Sequence, residues 1–353
     1  MRKAERKAKR GLIQTIRFLF PSLEPQPRFQ GSLNRVLILA QEKMGDAILL
    51  TSLVALLRQI APKAVIDIAA MSPVKSPVFS YYEHDSHIRH VYHVKANYFR
   101  FLRQAGKQRY DVLINTKDHP SFNFLLITCL IPARFKAGIA HAFHDGFFHW
   151  MADFDFHRPM VEKYHAFAGF FGYPVKTFVR PYIPDGPVSE DVQVWVRENQ
   201  DACIGINLSA GQPKREWPVE AWQNLLKNLD APVVVFAMPD RLQDKQMLEK
   251  TFGCVRSTPV TRSIFDVAAL MRPLSLLITP DTSLIHVASC VQTPVVGLYT
   301  AETVHQSRFA PFGIPFERVL SETKNVRDIP VRAVEEGVRR LRERKRQEIR
   351  KKK

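Results

Sequence analysis

Three short stretches of this sequence put chemically able side chains where a strand gives way to a helix. In the first, Lys43-Met44-Gly45-Asp46 separates the apolar run Val36 to Ala40 from a segment with helical periodicity, Ala47 to Ile60. Gly45 lets another backbone approach closely, and a carboxylate at a helix start has two uses. It caps the helix, worth about 1 kcal/mol. Alternatively, it serves as a general base that takes a proton from an acceptor hydroxyl. A helix N-terminus favours the ionised carboxylate and so weakens the base, and position alone favours the cap.

The second stretch, Asn207 to Pro218, follows the run Cys203 to Leu208. Its small residues and adjacent cations suit a loop wrapped round a diphosphate, with Ser209, Lys214 and Arg215 as candidate contacts. Lys214 offers a point charge and Arg215 a planar fork. A pair of solvated loop charges is the competing reading. The third stretch, Thr279-Pro280-Asp281-Thr282-Ser283-Leu284-Ile285-His286, joins the run Leu274 to Thr279 to a helix. Asp281 is placed to cap, Thr282 and Ser283 offer hydroxyls and N–H groups to an anion, and His286 follows about one turn later. A buried capping Asp beside an ordinary core His has the same sequence.

Two histidine series, His84, His87, His90, His93 and His141, His144, His149, invite a metal reading. A spacing of three puts successive side chains on alternating faces of a strand, so one ion cannot collect them there; binding of acidic sugars by charged histidines is the alternative. Cys129, Cys203, Cys254 and Cys290 are far apart, with no paired spacing for zinc, and read as reduced, mostly buried thiols. No metal is expected.

The three loops need a scaffold that holds them at strand ends. Val36 to Ala40, Val65 to Ala70, Ile88 to Val94 and Val112 to Asn115 read as strands, with helices at Ala47 to Ile60 and Ser121 to Leu130. Pro174, Pro181, Pro184 and Pro187, near Gly172 and Gly186, interrupt the periodicity as a linker would. Alternation then resumes with strands Cys203 to Leu208, Val233 to Ala237, Leu274 to Thr279 and Val295 to Tyr299. The helices between and beside them are Val219 to Leu229, Arg241 to Lys250, Ser263 to Met271 and Thr282 to Val291. With 353 residues the chain suits two domains. The expected fold is α/β, two doubly wound Rossmann-like domains whose strand ends face one cleft. Residues 1–30 read as a basic amphipathic helix and linker, 31–180 as the first domain, 188–330 as the second and 331–353 as a basic helical tail.

Lys and Arg number 51 against 34 Asp and Glu, a net +17, and the excess sits at the ends: +5 in residues 1–10 and +8 in 339–353. The nearly neutral body argues against a nucleic-acid groove and points to basic appendages meeting something anionic. Leu12, Ile13, Ile16, Leu19 and Phe20 recur at helical spacing beside Lys3, Arg6, Arg10 and Arg17. Such a helix lies on an anionic membrane or packs on its own domain, and the pattern fits both. The tail is either solvated or part of the same cationic face. No stretch reaches the roughly 20 apolar residues of a membrane span, and no clean apolar leader follows the basic start. A cytoplasmic location, peripheral on the inner face of the cytoplasmic membrane, is the expectation.

Taken in order, Met44-Gly45-Asp46, Asn207 to Trp217 with its Lys214-Arg215, and Asp281-Thr282-Ser283-Leu284-Ile285-His286 resemble the signatures of the lipopolysaccharide heptosyltransferase family, the ninth glycosyltransferase family. The likeness runs from about Arg35 to Leu320. It implies a GT-B fold and an inverting, metal-independent glycosyltransferase that moves a sugar, most often heptose from ADP-heptose, onto the inner core of lipopolysaccharide or lipooligosaccharide. The acceptor, lipid A–Kdo or an inner-core oligosaccharide, would bind the first domain. The nucleotide sugar, a cosubstrate with no separate cofactor, would bind the second. Asp46 then matches the family's base, Lys214 its phosphate contact, and Asp281, Thr282 and His286 its donor motif; Ser209, Arg215 and Ser283 come with the same loops. Cap and base roles coexist if domain closure desolvates the carboxylate.

Three departures fall on the donor side. Ser283 stands where the family usually has Gly, Tyr299-Thr300-Ala301-Glu302 replaces Phe-Gly-Pro-Thr, and Leu208-Ser209 replaces Pro-Gly. Other readings are a transferase of the same fold using another nucleotide sugar, a noncatalytic sugar-nucleotide-binding relative, and a nucleic-acid-binding protein suggested by the pI near 9.8. Against the last, the sequence has no recognisable nucleic-acid module and no basic stripe interleaved with stacking aromatics.

Overall fold

The structure is a computed structural model that describes residues 2–199 and 201–352, and the chain divides between Asp185 and Gly186 into two units. The side chains of residues 1–10 and 348–353, which carry much of the expected terminal charge, lie outside the described residues.

The first unit runs α1 (Arg2–Leu19), β1 (Arg35–Ala40), α2 (Met44–Ile60), β2 (Val65–Ala70), α3 (Val78–Glu83), β3 (Ile88–His93), α4 (Tyr98–Gly106), β4 (Tyr110–Asn115), α5 (Phe122–Leu130), β5 (Ala133–Ile139), β6 (Trp150–Ala152) and α6 (Met160–Ala166). Its strands form one parallel sheet in the order β3-β2-β1-β4-β5-β6. Central strands such as Val36-Leu37-Ile38-Leu39 are buried, as a parallel sheet covered on both faces requires. β1 starts the sheet and the chain then returns to place β4 on its other side, so the connections diverge at the carboxyl ends of β1 and β4. Such a switch point leaves a crevice at the strand ends.

The second unit runs α7 (Glu190–Glu198), β7 (Ile204–Asn207), α8 (Val219–Leu226), β8 (Val233–Phe236), α9 (Leu242–Thr251), α10 (Ile264–Met271), β9 (Leu276–Pro280), α11 (Leu284–Val291), β10 (Val295–Tyr299), α12 (Thr303–Arg308), β11 (Phe316–Leu320) and α13 (Val331–Lys352). Its parallel sheet has the order β11-β10-β9-β7-β8, with the switch point between β7 and β9.

Both terminal helices pack on these units. Ile13 and Ile16 of α1 are buried in a cluster with Leu125, Phe147 and Phe148, so that apolar stripe covers the first unit. Phe18 and Leu19 stay exposed, at 90% and 66%. On α13, Val334, Val338 and Leu341 are buried in the core of the second unit. Gly337 is what lets this helix come close: a Cβ there would lie 2.9 Å from Val319 Cγ2 and 3.3 Å from Val296 Cγ1.

Candidate functional site

The residues singled out in the sequence gather at two places, one at the switch point of each sheet. In the first unit, β1 ends at Ala40 and α2 begins at Met44, with Lys43 as the N-cap residue; its side chain makes no capping hydrogen bond. Asp46 is therefore the third residue of the helix and not its cap. The helix is held instead by a buried apolar face from Ala47 to Leu57. The Asp46 carboxylate, partly buried, is left available for chemistry.

Its neighbours come from elsewhere in the chain. Burial raises the Asp46 carboxyl above the ordinary carboxylate range, Lys163, Lys117 and Lys43 pull it back down, and Asp118 adds to the rise. Lys117 and Asp118 follow β4, the strand beside β1. The Lys117 ammonium donates to Gln41 Oε1 at 3.3 Å and lies over the Phe124 ring. Lys163, on α6, is fully buried; it donates to the Thr116 carbonyl at 3.0 Å and stands 3.4 Å from Asp118. On its outer side Asp118 meets the His119 ring nitrogen at 3.1 Å.

In the second unit, the loops after β7, β9 and β10 converge. Asn207, the last residue of β7, donates through its amide to Thr279 Oγ1 at 2.9 Å, to Thr282 Oγ1 at 3.3 Å and to the Ser209 carbonyl at 3.0 Å. One side chain thus ties two loops. Ser209 accepts from the Met238 N–H at 2.7 Å, which adds the end of β8. Arg215 donates to the Asp281 carbonyl and pairs with its carboxylate, both at 3.1 Å. Lys214 pairs with Glu302, after β10, at 2.9 Å. Trp217 anchors the loop from inside: it is buried, stacks edge-on against Trp222 and donates to the Ile329 carbonyl at 3.0 Å.

Capping of α11 differs from the expectation. Its N-cap is Ser283, whose side chain makes no capping bond; the Leu284 N–H goes to Thr282 Oγ1 instead, while Asp281 is engaged by Arg215. The helix accordingly begins at Leu284, two residues later than expected. His286 lies in its first turn, but the ring is buried, with Nδ1 lacking a partner among the described residues, and burial pushes its pKa down to about 4. It is neutral across the physiological range, so it can serve an anion only as an N–H donor and not as a cation.

Among the described residues no group of three or more His, Cys, Asp or Glu side chains is arranged to hold a metal ion. The histidines are engaged in other contacts. His93 stacks on Phe79 and bonds Glu83 at 2.8 Å, and His84 bonds the Ser80 carbonyl. His144 bonds the Ile139 carbonyl, and His149 accepts the Lys136 N–H.

Sequence reasoning missed Lys117, Asp118 and Lys163. The first two were within reach, because they directly follow the run Val112 to Asn115 and the strand order puts that run beside β1. Lys163 had no signal, since its partners lie 45 and 47 residues away.

Comparison with known proteins points in one direction. The profile of glycosyltransferase family 9 (heptosyltransferase) matches residues 98–329, which takes in Lys214, Arg215 and the stretch 279–286 and begins after Asp46. A curated relative, lipopolysaccharide heptosyltransferase 3 of Escherichia coli, is 23% identical over 283 residues, 73% of this chain and 81% of the relative. Among solved structures, a family 9 glycosyl transferase from Veillonella parvula superposes with a TM-score of 0.72 at 19% identity, covering 89% of this chain and 98% of that one. Heptosyltransferase WaaC of Escherichia coli, solved with ADP, gives 0.66 at 17% identity, covering 88% and 98%. The fold of this chain is the GT-B fold of these structures.

Proposed function

The chain belongs to glycosyltransferase family 9, and from that premise we propose that it moves a heptosyl group from ADP-heptose onto the inner core of lipopolysaccharide, with inversion and without a metal. The observation that carries the mechanism is Asp46: a carboxylate in the first turn of a helix, not used as its cap, at the switch point of a parallel sheet and made more basic by burial. The acceptor oxygen bonds to the anomeric carbon while the bond from that carbon to the diphosphate breaks with its electron pair. The hydroxyl proton passes to Asp46 and ADP departs. Charge growing on the leaving diphosphate is met by Lys214, Arg215 and the N-terminal end of α11 with Thr282 and Ser283, and Ser209 shapes the loop beside them. Lys214 exchanges Glu302 for the phosphate on donor binding.

The nucleotide and sugar are supported by the relatives: WaaC was solved with ADP, and the curated relative is named a lipopolysaccharide heptosyltransferase. Glu302 against Lys214, in the segment that departs from the family pattern, favours one second reading, a different nucleotide sugar on the same fold. Catalysis takes place at an anionic membrane surface reached through the basic α1, with lipid A–Kdo as the acceptor; among the described residues no helix is long and apolar enough to cross a membrane. Incubation with ADP-heptose and lipid A–Kdo should yield ADP and a glycosylated lipid. Neither transfer nor donor hydrolysis, with transfer from another nucleotide sugar, would replace heptose by that sugar.

A further inference from the structure

We propose that Lys163 and Asp118 form a buried charge pair, on elements packed beside the start of α2, that tunes the electrostatic surroundings of the Asp46 carboxylate, a role that rests on the reading of Asp46 as the base. The geometry is specific. Lys163 has no exposed surface, Asp118 has 6% of its side chain exposed, and the two stand 3.4 Å apart. Lys163 reaches from α6 to the Thr116 carbonyl at the end of β4, and α6 packs on α2, the helix that carries Asp46. Stability is a weak account of such a pair, because desolvating two charges offsets most of their attraction and an apolar pair of the same size does as well or better.

The groups facing Asp46 come from four elements: Lys43 ahead of α2, Lys117 and Asp118 after β4, Lys163 from α6, and Tyr82 of α3. Lys163 acts most strongly of these charges and favours the ionised carboxylate, while Asp118 opposes it. A base has to be ionised before transfer and still take a proton during it. Burial alone favours the protonated carboxyl, and an ammonium alone favours the ionised one and makes it a weaker base. A lysine partly neutralised by its own aspartate sets the intermediate condition. The pair touches no reacting atom, so both residues are positioning residues.

The test uses the full chain with Lys163→Met and Asp118→Asn, reading kcat/KM for ADP-heptose and lipid A–Kdo against pH. The two substitutions should act with opposite sign. The acidic limb moves up by roughly one pH unit in K163M, which loses the favourable charge, and down in D118N, which loses the unfavourable one. A second readout needs no substrate: the difference in Tm between each protein and its D46N counterpart, scanned over pH, follows the same proton; it begins near the unfolded value of 3.8 in every case, and the pH at which it levels off, set by the folded carboxyl, should move the same way as the limb. A merely structural pair would lower Tm in both variants and leave the limb and the levelling-off pH in place, which would overturn the proposal. Should K163M fail to fold, the downward shift in D118N decides alone. Full turnover in D46N would instead sink the base assignment, whereas an inactive D46N with unmoved limbs in the other two would keep the base and remove the pair's role.

Discussion

At the scale of single residues, the assignment of Asp46 makes a paired expectation about activity and stability. Asp46→Asn should lower kcat by about 10²–10⁴-fold while ADP binding, measured by calorimetry, stays unchanged. The same substitution should raise Tm near neutral pH. A carboxyl whose folded pKa is raised above its unfolded value near 3.8 supports the fold fully only below that value, and this stability is lost as pH rises through the folded pKa. The neutral amide escapes the loss, so the two proteins should melt alike below pH 3.8 and diverge above it. Lys214→Ala should weaken ADP binding by about 10- to 100-fold, the worth of one charge-assisted hydrogen bond. His286, neutral above about pH 4, should contribute nothing to the pH profile of donor binding between pH 6 and 8. These residues were legible because each stands at the end of an apolar run, where a parallel sheet presents its loops. What stayed hidden was the state of each group: that Asp46 is not the cap, that Ser283 rather than Asp281 begins α11, and that the His286 ring is sealed in. Local sequence does not encode which distant side chains close over a loop.

The elements divide in the same physical way. Central strands β1, β2, β4, β7, β9 and β10 are short apolar runs and read directly. The strands missed are β5, β6 and β11. β5 carries Arg134 and Lys136, whose ammonium bonds the Cys129 carbonyl; β6 has three residues; and β11 has two adjacent charges, Glu317 and Arg318, in five residues at a sheet edge. In β11, Glu317 is buried only because Arg340 and Arg344 of α13 pair with it, so its polarity is explained by a helix that comes later in the chain. The fit of α13 gives a prediction in which two effects oppose. Gly337→Ala gains about 1 kcal/mol of helix propensity. It also forces a methyl group against Val319 and Val296, whose branched side chains are stiff, at a cost of about 1–3 kcal/mol. Overpacking should win, and a chemical denaturation curve should show G337A less stable than the parent.

At the scale of the whole molecule, the charge lies at the termini while the chemistry lies at the strand ends, so surface attachment and catalysis should be separable. Sedimentation with vesicles containing anionic lipid should fall as salt rises, and replacing Lys3, Arg6, Lys7, Lys9 and Arg10 by Gln should abolish it while turnover on a soluble acceptor is kept. Pelleting at an unchanged level in that variant would place the attachment elsewhere. Removing α1 outright is a poorer experiment, because Ile13 and Ile16 cover Leu125, Phe147 and Phe148. A like consideration applies to α13 and to the order in which a chain is made. β10 and β11 leave the ribosome before α13 does, so Val296, Leu298 and Val319 are without their cover until translation reaches Val334 and beyond. Messages cut short ahead of that helix would therefore release a sticky nascent sheet, a substrate for chaperones and proteases rather than a half-working enzyme.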